Sequence, residues 1–252
     1  IKYLDVENNV ALKRNIGIKE SRAGYLIFLD DDCVPNENFV SNHLNSLSKN
    51  PNCLFCGDVF FPKELVDSSN YIRFKNSRHI RYRYGDSIDL DFKSIVTMNM
   101  SIKKENIIKN NLFFREDFIG YGMEDNEFGC QVMESEIKIK KCPASIQHME
   151  SNNPFLFSTK IFHTARDGVY KLKTINKKAV MRLPYSYFFE RDYIHKNILV
   201  RYLIKPMRLL FNIKIAKYVL KLLDLIDIHK LLYFPLLYRY VYASYYNEGV
   251  KK

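Results

Sequence analysis

A short apolar run that ends in three carboxylates constrains the fold more than any other feature of this sequence. The run is Tyr25–Leu29 (YLIFL), and Asp30–Asp32 follow it directly. Five residues rich in aromatic and branched side chains are typical of a buried strand. Open α/β sheets bind ligands beyond the C-terminal ends of their strands, so the acids predict a ligand site at this point. A solvated acidic turn closed by Pro35 is the alternative.

Two further features carry the types of side chain that such a site needs. Glu124 and Asp125 stand at a predicted helix start in FIGYGMEDNEFGC, and His148 follows a late predicted strand. Taken singly, each has a structural explanation, because helix dipoles favour acids at helix starts. Together, an aspartate and a histidine at strand ends are suitable ligands for Mg²⁺ or Mn²⁺. A second carboxylate nearby is suited to general base catalysis.

The order of these motifs resembles that of a family 2 glycosyltransferase of the GT-A fold. RNIGIKESRAGYLIFLDDDCVP is similar to the part of the family in which an Arg-Asn-x-Gly helix precedes a strand ending in Asp-x-Asp. NMSIKKENI and FREDFIGYGMEDNEFGCQV resemble the galactosyltransferase-type region of bacterial chondroitin-polymerase-like enzymes. The resemblance covers residues 1–150 and implies an α/β, Rossmann-like GT-A fold with a mixed sheet and a C-terminal helical extension.

The resemblance implies a metal site built from the acidic triplet and the late histidine. Asp32 would bind Mn²⁺ or Mg²⁺, and Asp30 would contact the metal shell or the ribose of the donor. Asp31 would support this pair. His148 would complete the metal site.

The resemblance also implies the residues that carry the reaction. Asp125 would be the catalytic base, and Glu124 would position the acceptor sugar. Arg14 and Asn99 would line the donor pocket. The implied activity is inverting transfer from a nucleotide diphosphate sugar, a UDP-sugar, to a glycan or lipid-linked acceptor in bacterial surface polysaccharide (capsule) synthesis.

The length allows one catalytic domain and a helical appendage, expected at residues 1–158 and 159–252. The family's nucleotide-binding strand and its following acidic strand would lie upstream of Ile1. We therefore expect the chain to be part of a longer protein. The sequence leaves the oligomeric state open.

Periodicity and turn residues predict the order of elements along the chain. The expected helices cover 11–20, 37–47 (capped by Asn36), 103–109, a stretch from 124, and the chain from 159 onward. The expected strands cover 25–29, 53–61, 94–102, 137–143 and 144–150. Residues 62–93 are expected to form a weakly patterned surface excursion.

The net charge of +11 indicates an anionic partner. Residues 73–84 (RFKNSRHIRYRY) interleave basic and aromatic side chains as single-strand nucleic-acid binders do. Nothing else matches a nucleic-acid module, so we expect no nucleic acid. Clustered acids also suit a metal-dependent phosphotransferase or nuclease, which stays as the alternative enzyme class.

The five cysteines lack disulfide spacing and indicate a reducing compartment. Cys53 and Cys56 have the spacing of half a zinc site. Cys130 and Cys142 do not supply a matching second pair. A structural zinc site is therefore not expected.

The C-terminal segment, Tyr193 to Lys252, is rich in apolar and basic residues. Its cations recur at helical spacing, and Pro206 and Pro235 are expected to divide it into separate helices. Two triplets show this spacing: Arg201, Lys205 and Arg208, and Lys214, Lys217 and Lys221. Basic amphipathic helices suit an anionic membrane surface, which predicts a peripheral protein at the cytoplasmic face of the bacterial plasma membrane. A structural helical subdomain and a dimer interface are the alternatives.

Overall fold

The computed structural model describes residues 3–79, 89–150, 152–190 and 198–251. It forms two compact units. The first contains Ile1–Pro62, Asn76–Ile119 and Glu124–Glu150, and the second contains Lys63–Lys75, Gly120–Met123 and Ser151–Lys252. The assignment of residues 1–158 and 159–252 to separate domains stays a prediction.

A mixed six-stranded sheet, counted over the described residues, forms the centre of the first unit. Its strands are β1 (Tyr25–Leu29), β2 (Cys33–Pro35), β3 (Cys53–Phe60), β4 (Asp89–Leu90), β5 (Asn99–Lys103) and β6 (Lys138–His148). The order is β1-β5-β3-β6-β2, and β4 pairs with β6. The β3–β6 pair is parallel and the other pairs are antiparallel. The predicted α/β fold with a mixed sheet is confirmed.

The described part of the first unit contains four helices besides this sheet. They are α1 (Val10–Glu20), α2 (Phe39–Lys49), α5 (Lys104–Lys109) and α6 (Glu124–Glu134). Of these, α2 makes the most extensive contact with the sheet. Phe39, His43 and Leu47 recur at four-residue spacing and form the buried face of α2. Phe39 and Leu47 belong to the core cluster that includes Phe55 and Ile146 on the neighbouring strands. The 3₁₀ turn Phe92–Ser94 precedes β5.

The predicted cap of α2 was wrong by two residues. The helix begins at Phe39 with Asn38 as its N-cap residue. Asn36 is held instead by the sheet, because its N–H donates to the Ser145 carbonyl at 3.1 Å. Its own carbonyl accepts from the Phe39 N–H at 3.0 Å, which leaves Asn36 in a turn before the helix.

The expected surface excursion at 62–93 was wrong for residues 63–76. These residues form α3 (Lys63–Ser68) and α4 (Asn70–Asn76), and the side chains of Tyr71, Ile72 and Phe74 are buried. The cations of α4 lie on aromatic rings of the second unit, with Lys75 Nζ 4.0 Å from the Phe157 ring centroid. Residues 80–84 of the basic-aromatic stretch lie outside the described residues.

Two strand predictions also change. The predicted segments 137–143 and 144–150 are one continuous strand, β6, which contains Pro143 and pairs with β3 before and after a shift in register at that point. The strand predicted at 94–102 is β5, which begins only at Asn99 after the turn at Phe92–Ser94.

The second unit is mostly helical. It contains α3, most of α4, α7 (Pro154–His163), α8 (Tyr170–Ile175), α9 (Lys177–Val180), α10 (Ser186–Phe189), α11 (Ile198–Leu210), α12 (Ile213–Leu225) and α13 (Pro235–Val250). A π-helix, Thr164–Val169, connects α7 to α8. The helix boundary expected at Pro206 was wrong, because Pro206 lies inside α11. The two helices are instead separated by the non-helical residues 211–212. Pro235 does begin a helix. None of the described helices combines the length and hydropathy that crossing a bilayer requires.

Candidate active site

The acidic triplet connects β1 to β2 at one end of the sheet. Strand β1 ends at Leu29, and the triplet leads into Cys33, which pairs with His148 in the antiparallel β2–β6 ladder. The Met149 N–H donates to the Asp32 carbonyl at 2.8 Å. Backbone pairing therefore places Asp32 beside His148, although 116 residues separate them in sequence.

The structure brings together Asp32 and His148, the two side chains that the sequence predicts as metal ligands. His148 Nε2 lies 3.2 Å from Asp32 Oδ2, and one ligand atom from each of Asp32, Cys33 and His148 falls within 4.8 Å of the others. Burial and Asp32 raise the pKa of the Cys33 thiol to about 12, which makes it a less ready ligand than the carboxylate and imidazole beside it. The remaining oxygen and nitrogen donors fit Mn²⁺ or Mg²⁺ better than a thiolate-seeking ion.

The surroundings of this pair leave room for further ligands. The Asp32 side chain is 50% exposed, whereas that of His148 is 12% exposed. Glu150 Oε2 lies 4.0 Å from His148 Nδ1, and the Phe61 ring lies 5.6 Å from the imidazole, centroid to centroid. Glu150 therefore adds negative charge on the far side of the imidazole, at an ion-pair distance that is too long for a hydrogen bond.

Arg14 is the positive group that faces the acids. Its guanidinium donates to Asp125 Oδ1 at 2.8 Å and lies 3.7 Å from both Asp30 Oδ1 and Glu124 Oε1. The next residue fixes the helix: the Asn15 side chain donates to the Phe114 carbonyl at 2.7 Å and accepts from its N–H at 2.9 Å. The Arg-Asn pair of α1 therefore joins two acidic motifs that are about ninety residues apart.

Asp125 is held by a donor at each oxygen. Arg14 binds Oδ1, and the Thr97 hydroxyl donates to Oδ2 at 2.9 Å. Sequence reasoning missed Thr97, although it stands in TMNMS immediately before β5. Asp125 occupies the first turn of α6, as predicted.

Burial raises the pKa of two acids in this cluster, Asp30 and Glu124. Burial raises the pKa of Asp30 above its ordinary value, and Arg14 opposes that rise. Burial, and then the neighbouring Asp125 carboxylate, raise the pKa of Glu124. Both groups therefore hold a proton more readily in the folded protein than in the unfolded chain.

Asn99 does not join the cluster. Its side chain is fully buried, its Oδ1 lies 2.8 Å from His43 Nε2, and its Nδ2 donates to the Asp58 carbonyl at 2.9 Å. The predicted place in the donor pocket conflicts with this burial, because both ends of the amide are already bonded inside the core. Asp31, by contrast, is exposed beside the cluster.

Two family models match the chain. Residues 1–109 match the model of glycosyl transferase family 2, and residues 79–153 match the model described as the N-terminal domain of galactosyltransferase. The chain carries a family 2-type glycosyltransferase domain. This glycosyltransferase has the GT-A type of fold, and the predicted enzyme class is confirmed. None of the curated proteins compared with it matches.

Several solved structures share part of its architecture. TarS 1–349 from S. aureus has 9% identity and a TM-score of 0.44, with 97% of this chain and 70% of that one covered. The same fragment in complex with UDP-GlcNAc has 11% identity and a TM-score of 0.42, with 96% and 71% covered. GalNAc-T7 with UDP, GalNAc and Mn²⁺ has 12% identity and a TM-score of 0.41, with 75% and 46% covered. The assignment to the family rests on the two family models.

Proposed function

We propose that this glycosyltransferase is metal-dependent and inverting, with a UDP-sugar as donor and a glycan or lipid-linked glycan as acceptor, in bacterial surface polysaccharide synthesis. One observation carries the proposal: the Asp32–His148 pair lies in the same unit as the acid Asp125, whose two oxygens are fixed by Arg14 and Thr97. A metal-ligating pair and a separate fixed carboxylate are the two parts that the reaction requires.

The residues divide into two roles. Asp32 and His148 would hold the divalent cation, which supplies positive charge to the departing diphosphate. Asp125 accepts the proton of the acceptor hydroxyl as that oxygen forms its bond to the anomeric carbon. The bond from the anomeric carbon to the diphosphate oxygen breaks in the same step, and attack from the opposite face inverts the centre.

Arg14 links the two parts electrostatically. Its contact with Asp125 keeps the base oriented, and its position 3.7 Å from Asp30 places positive charge next to the acidic triplet. Charge fixed in place before the reaction costs no reorganisation at the moment of transfer. Arg14 is therefore assigned a positioning role.

A donor screen tests the proposal. UDP-sugars and acceptor glycans are supplied with Mn²⁺ or Mg²⁺, and release of UDP is followed with and without a chelator. We expect turnover that requires the metal and stops with Asp32→Ala. The matched control, Asp31→Ala, removes an exposed carboxylate from the neighbouring position and should retain most of the activity.

The contribution of His148 is separable from folding. His148→Ala should raise the metal concentration needed for half-maximal turnover by about tenfold or more, because a ligand is lost. Its melting temperature should stay close to that of the unmodified protein. Unchanged metal dependence in this variant would remove His148 from the site.

A further inference from the structure

Helix α12 presents an apolar stripe on the side opposite its buried face. Ala216, Leu220 and Leu223 are 0–1% exposed and pack inward within the second unit. Ile215, Tyr218, Leu222 and Leu225 recur at i, i+3, i+7 and i+10, and they are 53–76% exposed. A surface helix that only packs on a core has polar residues at these outward positions. An apolar stripe that faces solvent is therefore typical of a surface that binds a partner.

Lysines lie along one flank of the stripe. At 100° per residue, Lys214, Lys217 and Lys221 fall between the outward stripe and the polar edge of the helix. All three are exposed. The helix thus carries an apolar row and a parallel basic row over about 15 Å of its length.

The elements before and after α12 in the chain also expose apolar side chains. In α11, Leu199, Tyr202 and Leu203 are 61–71% exposed, and the buried Ile204 lies on the other side of the helix. After α12, Ile228 and Leu231 are 72% and 99% exposed. Over residues 198–251, nine Lys and Arg accompany three Asp and Glu. We call the outward side of α12, with its apolar stripe and its lysine row, the basic-apolar face.

We propose that the basic-apolar face binds the surface of an anionic phospholipid bilayer. The apolar stripe of α12 would enter the boundary between headgroups and acyl chains, and the lysine row would contact the anionic headgroups. The helix would lie in the plane of the surface, because the stripe runs along its length. This inference is independent of the proposed sugar transfer.

The pattern favours a bilayer over other occupants. A nucleic acid or an anionic glycan would pair with Lys214, Lys217 and Lys221 but would leave the leucines in water. A second copy of the chain would cover the leucines but would bring the two lysine rows near each other. An anionic bilayer satisfies both rows at once, since it offers an apolar interior beneath a negative surface.

Vesicle flotation tests the proposal. The full chain is mixed at low salt with neutral phosphatidylcholine vesicles or with vesicles that also contain phosphatidylglycerol, and the bound fraction gives a partition coefficient. We expect binding to the anionic vesicles, weaker binding to the neutral ones, and a decrease with added salt.

Two sets of variants separate the rows. The triple change of Lys214, Lys217 and Lys221 to Glu should lower the partition coefficient by at least about 100-fold, since each cation near such a surface contributes about fivefold. Its control changes the exposed Lys49, Lys109 and Lys138 to Glu, with the same change in net charge. That control should bind far better than the first triple.

A test variant and a matched control examine the contribution of the apolar row. Leu222→Gln with Leu225→Gln should lower partitioning at least about tenfold. Ile108→Gln with Ile119→Gln, which removes 66% and 96% exposed side chains from the first unit, should have little effect.

Three results would overturn the proposal. The first is that the intact chain does not bind anionic vesicles at low salt. The second is that the test and control variants lose the same share of vesicle binding. The third is that sedimentation shows a dimer, which the Leu222 and Leu225 changes dissociate. Circular dichroism and thermal melts of each variant confirm that only surface chemistry has changed.

Discussion

At the scale of single residues, Asp125 is the proposed catalytic base, and each of its carboxylate oxygens accepts a hydrogen bond. Asp125→Asn keeps the size of the side chain and part of its hydrogen bonding but cannot accept a proton. We expect kcat to fall by about 10²-fold or more, with donor affinity retained. Initial rates over a range of donor concentrations, together with donor binding by calorimetry, measure the two effects. Near-normal kcat would place the base elsewhere, with Glu124 the next candidate.

Thr97 tests whether the orientation of Asp125 matters. Thr97→Val removes the hydroxyl that donates to Oδ2 at 2.9 Å and should lower kcat about tenfold, the value of one hydrogen bond. Thr97→Ser keeps the hydroxyl and should restore most of the rate. Equal rates for Val and Ser would show that this contact has no part in the reaction.

Glu124 gives a prediction of stability against pH. Its folded pKa is raised from 4.5 by burial, then by Asp125, so the folded state binds more protons than the unfolded state above about that pH. The free energy of unfolding therefore falls as pH rises through this range. Glu124→Gln removes the penalty and should raise the melting temperature at pH 7, with a gain that shrinks below pH 4.5. Glu37→Gln, at an exposed position, is the control and should show no such gain.

At the scale of elements, the β3–β6 register depends on Gly57. A Cβ on Gly57 would lie 2.4 Å from the Ala144 carbonyl oxygen and from Asn99 Nδ2. The register between β3 and β6 shifts between Cys56 and Asp58, so this glycine stands at the irregularity in the pairing. Gly57→Ala should lower the free energy of unfolding by about 1–3 kcal/mol.

Gly17→Ala is the matched control in denaturant unfolding. A Cβ added at Gly17 would have no heavy atom within 4 Å, and alanine stabilises a helix by about 1 kcal/mol relative to glycine. It should therefore stabilise α1. A neutral Gly57→Ala would show that β3 and β6 can separate there without cost.

The sequence predicted the elements whose boundaries depend on their own residues and immediate neighbours. The boundaries of β1 were predicted to the residue because Gly24 and charged Asp30 bound its apolar run. Helix α4 was missed because its cations are covered by aromatic rings from residues far along the chain, as with Lys75 on Phe157. Thr97 was missed for a related reason, because its role arises only when β5 and α6 come together. The position of the acids at the end of β1 was predictable, because they directly follow its apolar run; their function stays a prediction.

At the scale of the whole molecule, the thiols are confined to one of the two units. The five cysteines form no disulfide with one another, all are buried, and all lie in the first unit. Burial raises the pKa of Cys56 to about 12 and that of Cys142 to about 11. The thiolate is the reactive form, so both inaccessibility and protonation slow their modification.

Reaction with a thiol reagent should therefore report the opening of the first unit. At pH 8 we expect less than one thiol per chain to react quickly in the native protein, and all five to react in denaturant. Because labelling of a buried thiol requires opening, its rate should rise with denaturant in proportion to the open population. The melting temperature should be the same with and without reductant, because the cysteines form no disulfide that a reductant could break. Rapid reaction of one thiol would show that the structure opens locally around that cysteine. If Cys33→Ser abolished the rapid reaction, the reactive cysteine would be the one beside the acidic triplet.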